Sequence, residues 1–131
     1  LFSIIFLSFT LNFVVAGLFF ENVKLNVIDI IFHFLDEPSL VPLPKRYELL
    51  DKSTFTIVCS LASGSSVFFE WKKDGQKLST NSNNIHIDNN VHYSLLSIAN
   101  LTINDSGNYE CFAKNPYGSV STSTQLLIKG C

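Results

Sequence analysis

The 131-residue chain contains no methionine, one tryptophan, three histidines and three cysteines. Charge is scarce and balanced: nine basic residues face eleven acidic ones, and charged residues are 15% of the chain. Without a surplus of Lys and Arg to neutralise phosphates, nucleic acid is argued against as the main partner. No serine stands in a G-x-S-x-G turn, no cysteine is placed with a histidine as a nucleophile pair, and no glycine-rich phosphate loop occurs. The acidic residues are single and dispersed, so no carboxylate pair offers acid–base chemistry and no D-x-D-x-D run offers a calcium loop. No C-x-x-C or histidine pair at ligand spacing accompanies the cysteines, which argues against zinc. By strand parity His86 points away from the core, and His92 falls in a loop, so both read as surface residues. The chain is expected to be no enzyme and to need no cofactor or metal.

Apolar residues are plentiful, at 47%, so the chain has enough area to bury a core and is not a disordered tail. The length suits one domain. Phenylalanine divides the chain in two: eight of the twelve lie in the first 34 residues. Residues 1–20, LFSIIFLSFTLNFVVAGLFF, carry no charge before Glu21. An uncharged apolar run at a chain start reads as a secretory signal or a membrane anchor. Ser3, Ser8, Thr10 and Asn12 interrupt it, and Val14-Val15-Ala16 offers small residues to a signal peptidase, so residues 1–16 are assigned as signal peptide, with an uncleaved anchor as the alternative. With neither Met nor a basic residue ahead of it, the run is expected to begin inside the signal. Either reading sends the remainder into the secretory pathway, to be secreted or displayed outside the cell; the membrane enters only through this leader or through a segment beyond the sequence. Residues 17–37 form an unassigned leader or linker that includes ENVKLNVIDIIFHFLD. Pro38, Pro42 and Pro44 then hold the chain extended and suit a lead-in to an edge strand.

Beyond residue 38 the period is two. Phe55, Ile57, Cys59 and Leu61 alternate with Thr56, Val58 and Ser60, and Val67, Phe69 and Trp71 alternate with Phe68, Glu70 and Lys72. Lys73-Asp74-Gly75-Gln76 signals a hairpin. Further strands are expected at Ile85–Ile87, Tyr93–Ile98, Asn108–Lys114 and Val120–Ile128, the last two joined by Asn115-Pro116-Tyr117-Gly118. No helical apolar period of useful length follows residue 39. Seven or more short strands separated by turn signals imply an all-β, two-sheet antiparallel sandwich. Cys59, Trp71 and Cys111 all fall at inward parity, with Tyr109 two residues before Cys111.

These residues carry a resemblance. Residues 94–111, SLLSIANLTINDSGNYEC, match L-x-I-x-x-L-x-x-x-D-x-G-x-Y-x-C at Leu96, Ile98, Leu101, Asp105, Gly107, Tyr109 and Cys111. Ala113 to Gly118 resembles the A-x-N-x-x-G hairpin, and Trp71 to Gly75 the W-x-K-D-G turn, of the I-set subclass of immunoglobulin domains. The resemblance spans residues 38–130. Within the subclass, Ser39 to Pro44, the Ser-Gly-Ser-Ser loop and the Lys-Asp-Gly turn look most like the Down syndrome cell adhesion molecule (Dscam) family of arthropods.

The resemblance implies an immunoglobulin-like sandwich in which a Cys59–Cys111 disulfide joins the sheets and Trp71 packs on it. Two free buried thiols are the rival state, which an oxidising compartment disfavours. Tyr109 is expected to turn its hydroxyl to the backbone as a tyrosine corner, Asp105 to bond amides in the preceding turn, and Gly107 to supply a conformation that a side chain would hinder. Asn100-Leu101-Thr102 and Asn104-Asp105-Ser106 are glycosylation sequons, Asn100 being the more accessible by position. Outward parity singles out Phe68 and Phe112 on neighbouring strands of one sheet, and Val58, Tyr93 and Leu95 on the other, as interface residues. The function implied is Dscam-like adhesion, in which the partner is a protein, an identical domain on an apposed cell being one form, beside neighbouring immunoglobulin domains in a longer chain. Alternatives are a secreted hemolin-like immune protein, the ligand-binding ectodomain of a receptor kinase and a cytosolic muscle-type domain, which the leader opposes. The odd Cys131 suits pairing between chains or truncation.

Overall fold

The structure is a computed structural model and describes residues 37–80 and 82–130; the signal or anchor, most of the leader, His33 and Cys131 lie outside the described residues. Described strands are β1 (Ser39–Leu40), β2 (Arg46–Leu50), β3 (Phe55–Ser63), β4 (Phe68–Lys73), β5 (Gln76–Lys77), β6 (Ile85–Asn89) and β7 (Tyr93–Ile98). A 3₁₀ turn (Ile103–Asp105) precedes β8 (Gly107–Asn115) and β9 (Gly118–Lys129). They form two sheets, ordered β1-β3-β7-β6 and β2-β9-β8-β4-β5.

The period-two pattern decides what lies between the sheets. On β3, Phe55, Ile57 and Cys59 are buried while Thr56 and Val58 are exposed. Phe69 and Trp71 face them from β4, Leu96 and Ile98 from β7, Tyr109, Cys111 and Ala113 from β8, and Leu126 and Ile128 from β9. Each large side chain removed from water contributes about 1.5–3 kcal/mol, which is what orients the strands. Toward one end of the core the rings of Tyr47, Phe55 and Tyr109 meet in sequence, with centroids 5.2 and 5.9 Å apart.

The proline-rich lead-in serves two edges rather than one. Val41 N–H still donates to Ser60 C=O of the first sheet at 2.9 Å. Two residues on, Leu43 N–H donates to Thr122 Oγ1 of the second sheet at 3.0 Å. Pro42 and Pro44 have no N–H to donate, so the ladder stops and the chain crosses between the sheets. β1 thus pairs antiparallel with β3, and β2 pairs parallel with β9, Arg46 opposite Gln125 through Leu50 opposite Lys129. The sandwich is therefore antiparallel except along this one ladder. Glu48 clasps that edge, 2.8 Å from Lys129 Nζ and 2.9 Å from Arg46 Nε, and the hydrogen bond from Lys129 leads the effects that hold its carboxyl below the usual range.

Candidate interaction surfaces

Asp74 and Gly75 have φ of 49° and 85°, the two left-handed positions of a tight hairpin, which is the turn that Asp-Gly favours between β4 and β5. The Asp74 carboxylate is then in place to accept the Asn108 N–H at 2.8 Å, tying this hairpin to the start of β8. A Cβ on Gly107 would lie 2.7 Å from the same carboxylate. Gly107 is favoured on two grounds: its φ of 158° is one that L side chains rarely adopt, as expected, and Asp74 occupies the space that a Cβ would need.

Cys59 and Cys111 are disulfide-bonded, with Cα atoms 6.4 Å apart and a sequence separation of 52. Closing a loop of that length constrains the unfolded chain by about 4 kcal/mol in the entropic account. Trp71 lies directly opposite Cys111 in the β4–β8 register and is 2% exposed. Its indole N–H donates to Ser94 Oγ at 2.8 Å, and the Ser94 hydroxyl donates in turn to Asn89 Oδ1. Sequence reasoning missed Ser94, although two signals pointed to it: it shares inward parity with Leu96 and Ile98, and a buried indole requires an acceptor. Tyr109 donates its hydroxyl to Asp105 C=O at 2.6 Å, while the Asp105 carboxylate accepts Thr102 N–H at 2.8 Å. Burial first, and the charges of Asp105 and Asp74 after it, hold the Tyr109 hydroxyl far above the ordinary phenol range. Asn115, the N of the A-x-N-x-x-G hairpin, accepts the N–H groups of Tyr117 and Gly118 at its Oδ1 and so shapes the β8–β9 turn.

The expected outward residues divide unequally. On the first sheet Val58 stands directly opposite Leu95, and Tyr93 follows two residues along β7 opposite Ser60. Val58 and Tyr93 are 43% and 37% exposed and Leu95 is half-buried, so the three make one contiguous apolar patch, bordered by Asp88 opposite Leu95. On the second sheet Phe68 stands opposite Lys114 and Phe112 opposite Glu70, so the two rings are diagonal neighbours. Phe68 is 82% exposed, but Phe112 is half-buried, and Lys72 Nζ sits 4.6 Å from its ring centre. The aromatic pair is thus one bare ring and one ring capped by a cation. Asn100 and Asn104 are both exposed, Asn100 in the left-handed region at φ 53°. The Asn104 carbonyl accepts a bond from Lys73 Nζ, and Ser106 Oγ accepts Ile128 N–H at 2.9 Å. Among the described residues no group of three or more His, Cys, Asp or Glu is arranged to hold a metal ion.

Known proteins share this arrangement. Palladin of Mus musculus is 31% identical over 87 residues, 65% of this chain and 6% of its own length. The cell adhesion molecule DSCAM of Homo sapiens is 35% identical over 74 residues, 56% of this chain and 4% of its own. The chain therefore spans only a small fraction of the curated relatives it matches. Among solved structures, an I-band fragment from titin superposes with a TM-score of 0.66 at 26% identity, over 71% of this chain and 33% of that one. Titin domain M7 superposes with a TM-score of 0.62 at 25% identity, over 72% of this chain and 95% of that one. The family match, to the Immunoglobulin I-set domain, runs over residues 38–128. A stapled two-sheet sandwich with its tyrosine corner and proline-switched edge serves protein–protein interaction, and the chain belongs to the immunoglobulin I-set family.

Proposed function

We propose that residues 38–130 form an extracellular recognition domain of adhesion type that docks a partner protein on the outer face of the β1-β3-β7-β6 sheet. The observation that carries this is the Val58, Leu95 and Tyr93 patch, in which two residues are directly paired across strands and the third adjoins them. Patches of this kind, rimmed by polar groups, mark interfaces. The likeness to a cell adhesion molecule supports the same reading. An identical domain on an apposed cell is the partner we favour, because one patch then meets its own copy across a two-fold axis. Residues 1–16 deliver the domain to the secretory pathway as signal or anchor, and residues 17–37 lead into it. Asn100 carries a glycan on the loop beyond β7, and Asn104 is the lesser site because its turn is already tied down.

A second reading, a cytosolic muscle-type domain, draws on the likeness to palladin and titin. In a reducing compartment Cys59 and Cys111 would stay thiols. The test expresses the chain in secretory cells and displays the exported product on beads. Non-reducing mass spectrometry is expected to find Cys59 linked to Cys111, and the beads to cluster. Leu95→Asp and Val58→Asp are expected to abolish clustering, and Phe112→Asp to leave it intact. Chain retained in the cytosol with both thiols free selects the second reading. Clustering that survives both first-sheet substitutions rules out this face, and exported protein that never clusters rules out self-recognition.

A further inference from the structure

The outer edge of β4 is only partly covered. β8 pairs with β4 over its whole length, Phe68 opposite Lys114 to Lys73 opposite Tyr109. β5 covers only Lys72 and Lys73. One further bond, from Leu78 N–H to Trp71 C=O at 2.9 Å, shows that the main chain of Trp71 points to this outer side. Phe69, two residues earlier, points the same way by strand alternation. Beyond Leu78 no described strand accompanies β4, so among the described residues the N–H and C=O of Phe69 have no ladder partner. Proteins ordinarily blunt an edge like this, because an unpaired ladder is a template for another strand.

A groove of about 720 Å³ runs along this stretch. Phe69, Trp71, Leu78 and Ile87 give it apolar walls, and Phe68 and Lys114 stand at its mouth. Its charges are not balanced. Glu70 and Lys77 pair at 3.4 Å, while Lys114 has no ion partner among the described residues. We infer that the groove binds an extended segment of a partner protein, which adds to the sheet beside β4. Its main chain bonds Phe69, alternate apolar side chains enter against Leu78 and Ile87, and an Asp or Glu at the mouth meets Lys114. Main-chain bonds then supply affinity, and the alternating pockets with Lys114 supply specificity. This site is the edge of the second sheet and is separate from the first-sheet patch, so it stands or falls independently of adhesion.

The probe is a phage-displayed library of random twelve-residue peptides, selected on the full exported chain. Enriched peptides are expected to alternate apolar and polar residues and to carry an acidic residue. A synthetic peptide from that set is expected to slow hydrogen exchange of the Phe69 amide at least tenfold. Lys114→Glu and Phe68→Asp, both at exposed positions, should each weaken binding about tenfold, and changing the peptide's acid to Lys should restore affinity for Lys114→Glu. The proposal is overturned if no peptide is enriched, if the slowed amides lie on a sheet face instead of at Phe69, if Lys114→Glu leaves affinity unchanged, or if only a second copy of the chain is captured.

Discussion

The centre of the sandwich and the outer edge of β4 are less than one strand length apart, and they are built by opposite rules. At the centre Cys59 and Cys111 are covalently joined, Trp71 is buried beside them, and its N–H is passed through Ser94 to Asn89. At the edge Phe68 is bare, and the Phe69 main chain is without a ladder partner among the described residues. The two regions meet on β4, whose inward Trp71 packs in the core while its outer edge is left open. The difference shows where stability is concentrated and therefore which surface is at liberty to bind.

Removing the staple should produce the largest effect. With both Cys59→Ala and Cys111→Ala, the unfolded chain regains the freedom of the 52-residue loop, and stability should fall by about 4 kcal/mol. Denaturant titration of the double variant checks this. A loss under about 1 kcal/mol would mean that apolar packing alone holds the sheets and would remove the contrast between centre and edge.

Tyr109 extends the central rule to the end of the core. Tyr109→Phe deletes the hydroxyl and leaves Asp105 C=O without that donor, at a cost of about 1–3 kcal/mol. The hydroxyl also predicts a pH response. Its folded pKa is raised, so the neutral form is favoured in the fold; the stability it contributes is complete below the unfolded value near 10 and is lost as pH rises above it. Thermal melts from about pH 8 to 11 should therefore show a steeper alkaline decline for the natural chain than for Tyr109→Phe. Parallel curves would disconnect this hydroxyl from the fold's pH dependence.

Most of the centre was legible in the sequence, because period-two alternation assigns Phe55, Ile57, Cys59, Trp71, Leu96 and Cys111 to one side, and burial acts on sides. The edges were less legible. That the Pro42–Pro44 stretch divides β1 from β2 and sends them to different sheets depends on where Val41 and Leu43 find acceptors, which is a tertiary matter. The shortness of β5 likewise depends on where the chain leaves for β6. Parity identified Phe112 as outward but carried no information about Lys72, whose long side chain folds over the ring. For the partner itself, the three apolar residues of the first sheet were named from parity, yet only the register showed that they are neighbours.

The central rule has one exception, and it gives a smaller effect of opposite sign. Thr124 is 1% exposed and stands opposite Tyr109 in the β8–β9 register, but its hydroxyl has no hydrogen-bond partner among the described residues. A buried polar group without a partner retains its desolvation cost. Thr124→Val replaces the hydroxyl by a methyl of similar size and should stabilise the domain by about 1 kcal/mol, raising Tm by about 4–8 °C. A fall in Tm would show that the hydroxyl is satisfied in solution, by water for example, and that the centre has no polar defect.

The smallest effect belongs to the edge and sharpens the comparison most. Phe68 is a large aromatic residue in the middle of the sequence's strand pattern, and by composition alone it would be counted toward the core. At 82% exposure it has surrendered little area to the fold, so Phe68→Ser removes little burial and should change stability by no more than about 0.5 kcal/mol. It should even improve solubility slightly, since a bare ring beside an open ladder favours association of edges. A loss of 2 kcal/mol or more would place the ring inside the fold and close the edge as a binding surface. An unchanged melt together with weakened peptide binding would instead separate the two uses of β4, its inward residues for the core and its mouth for a partner.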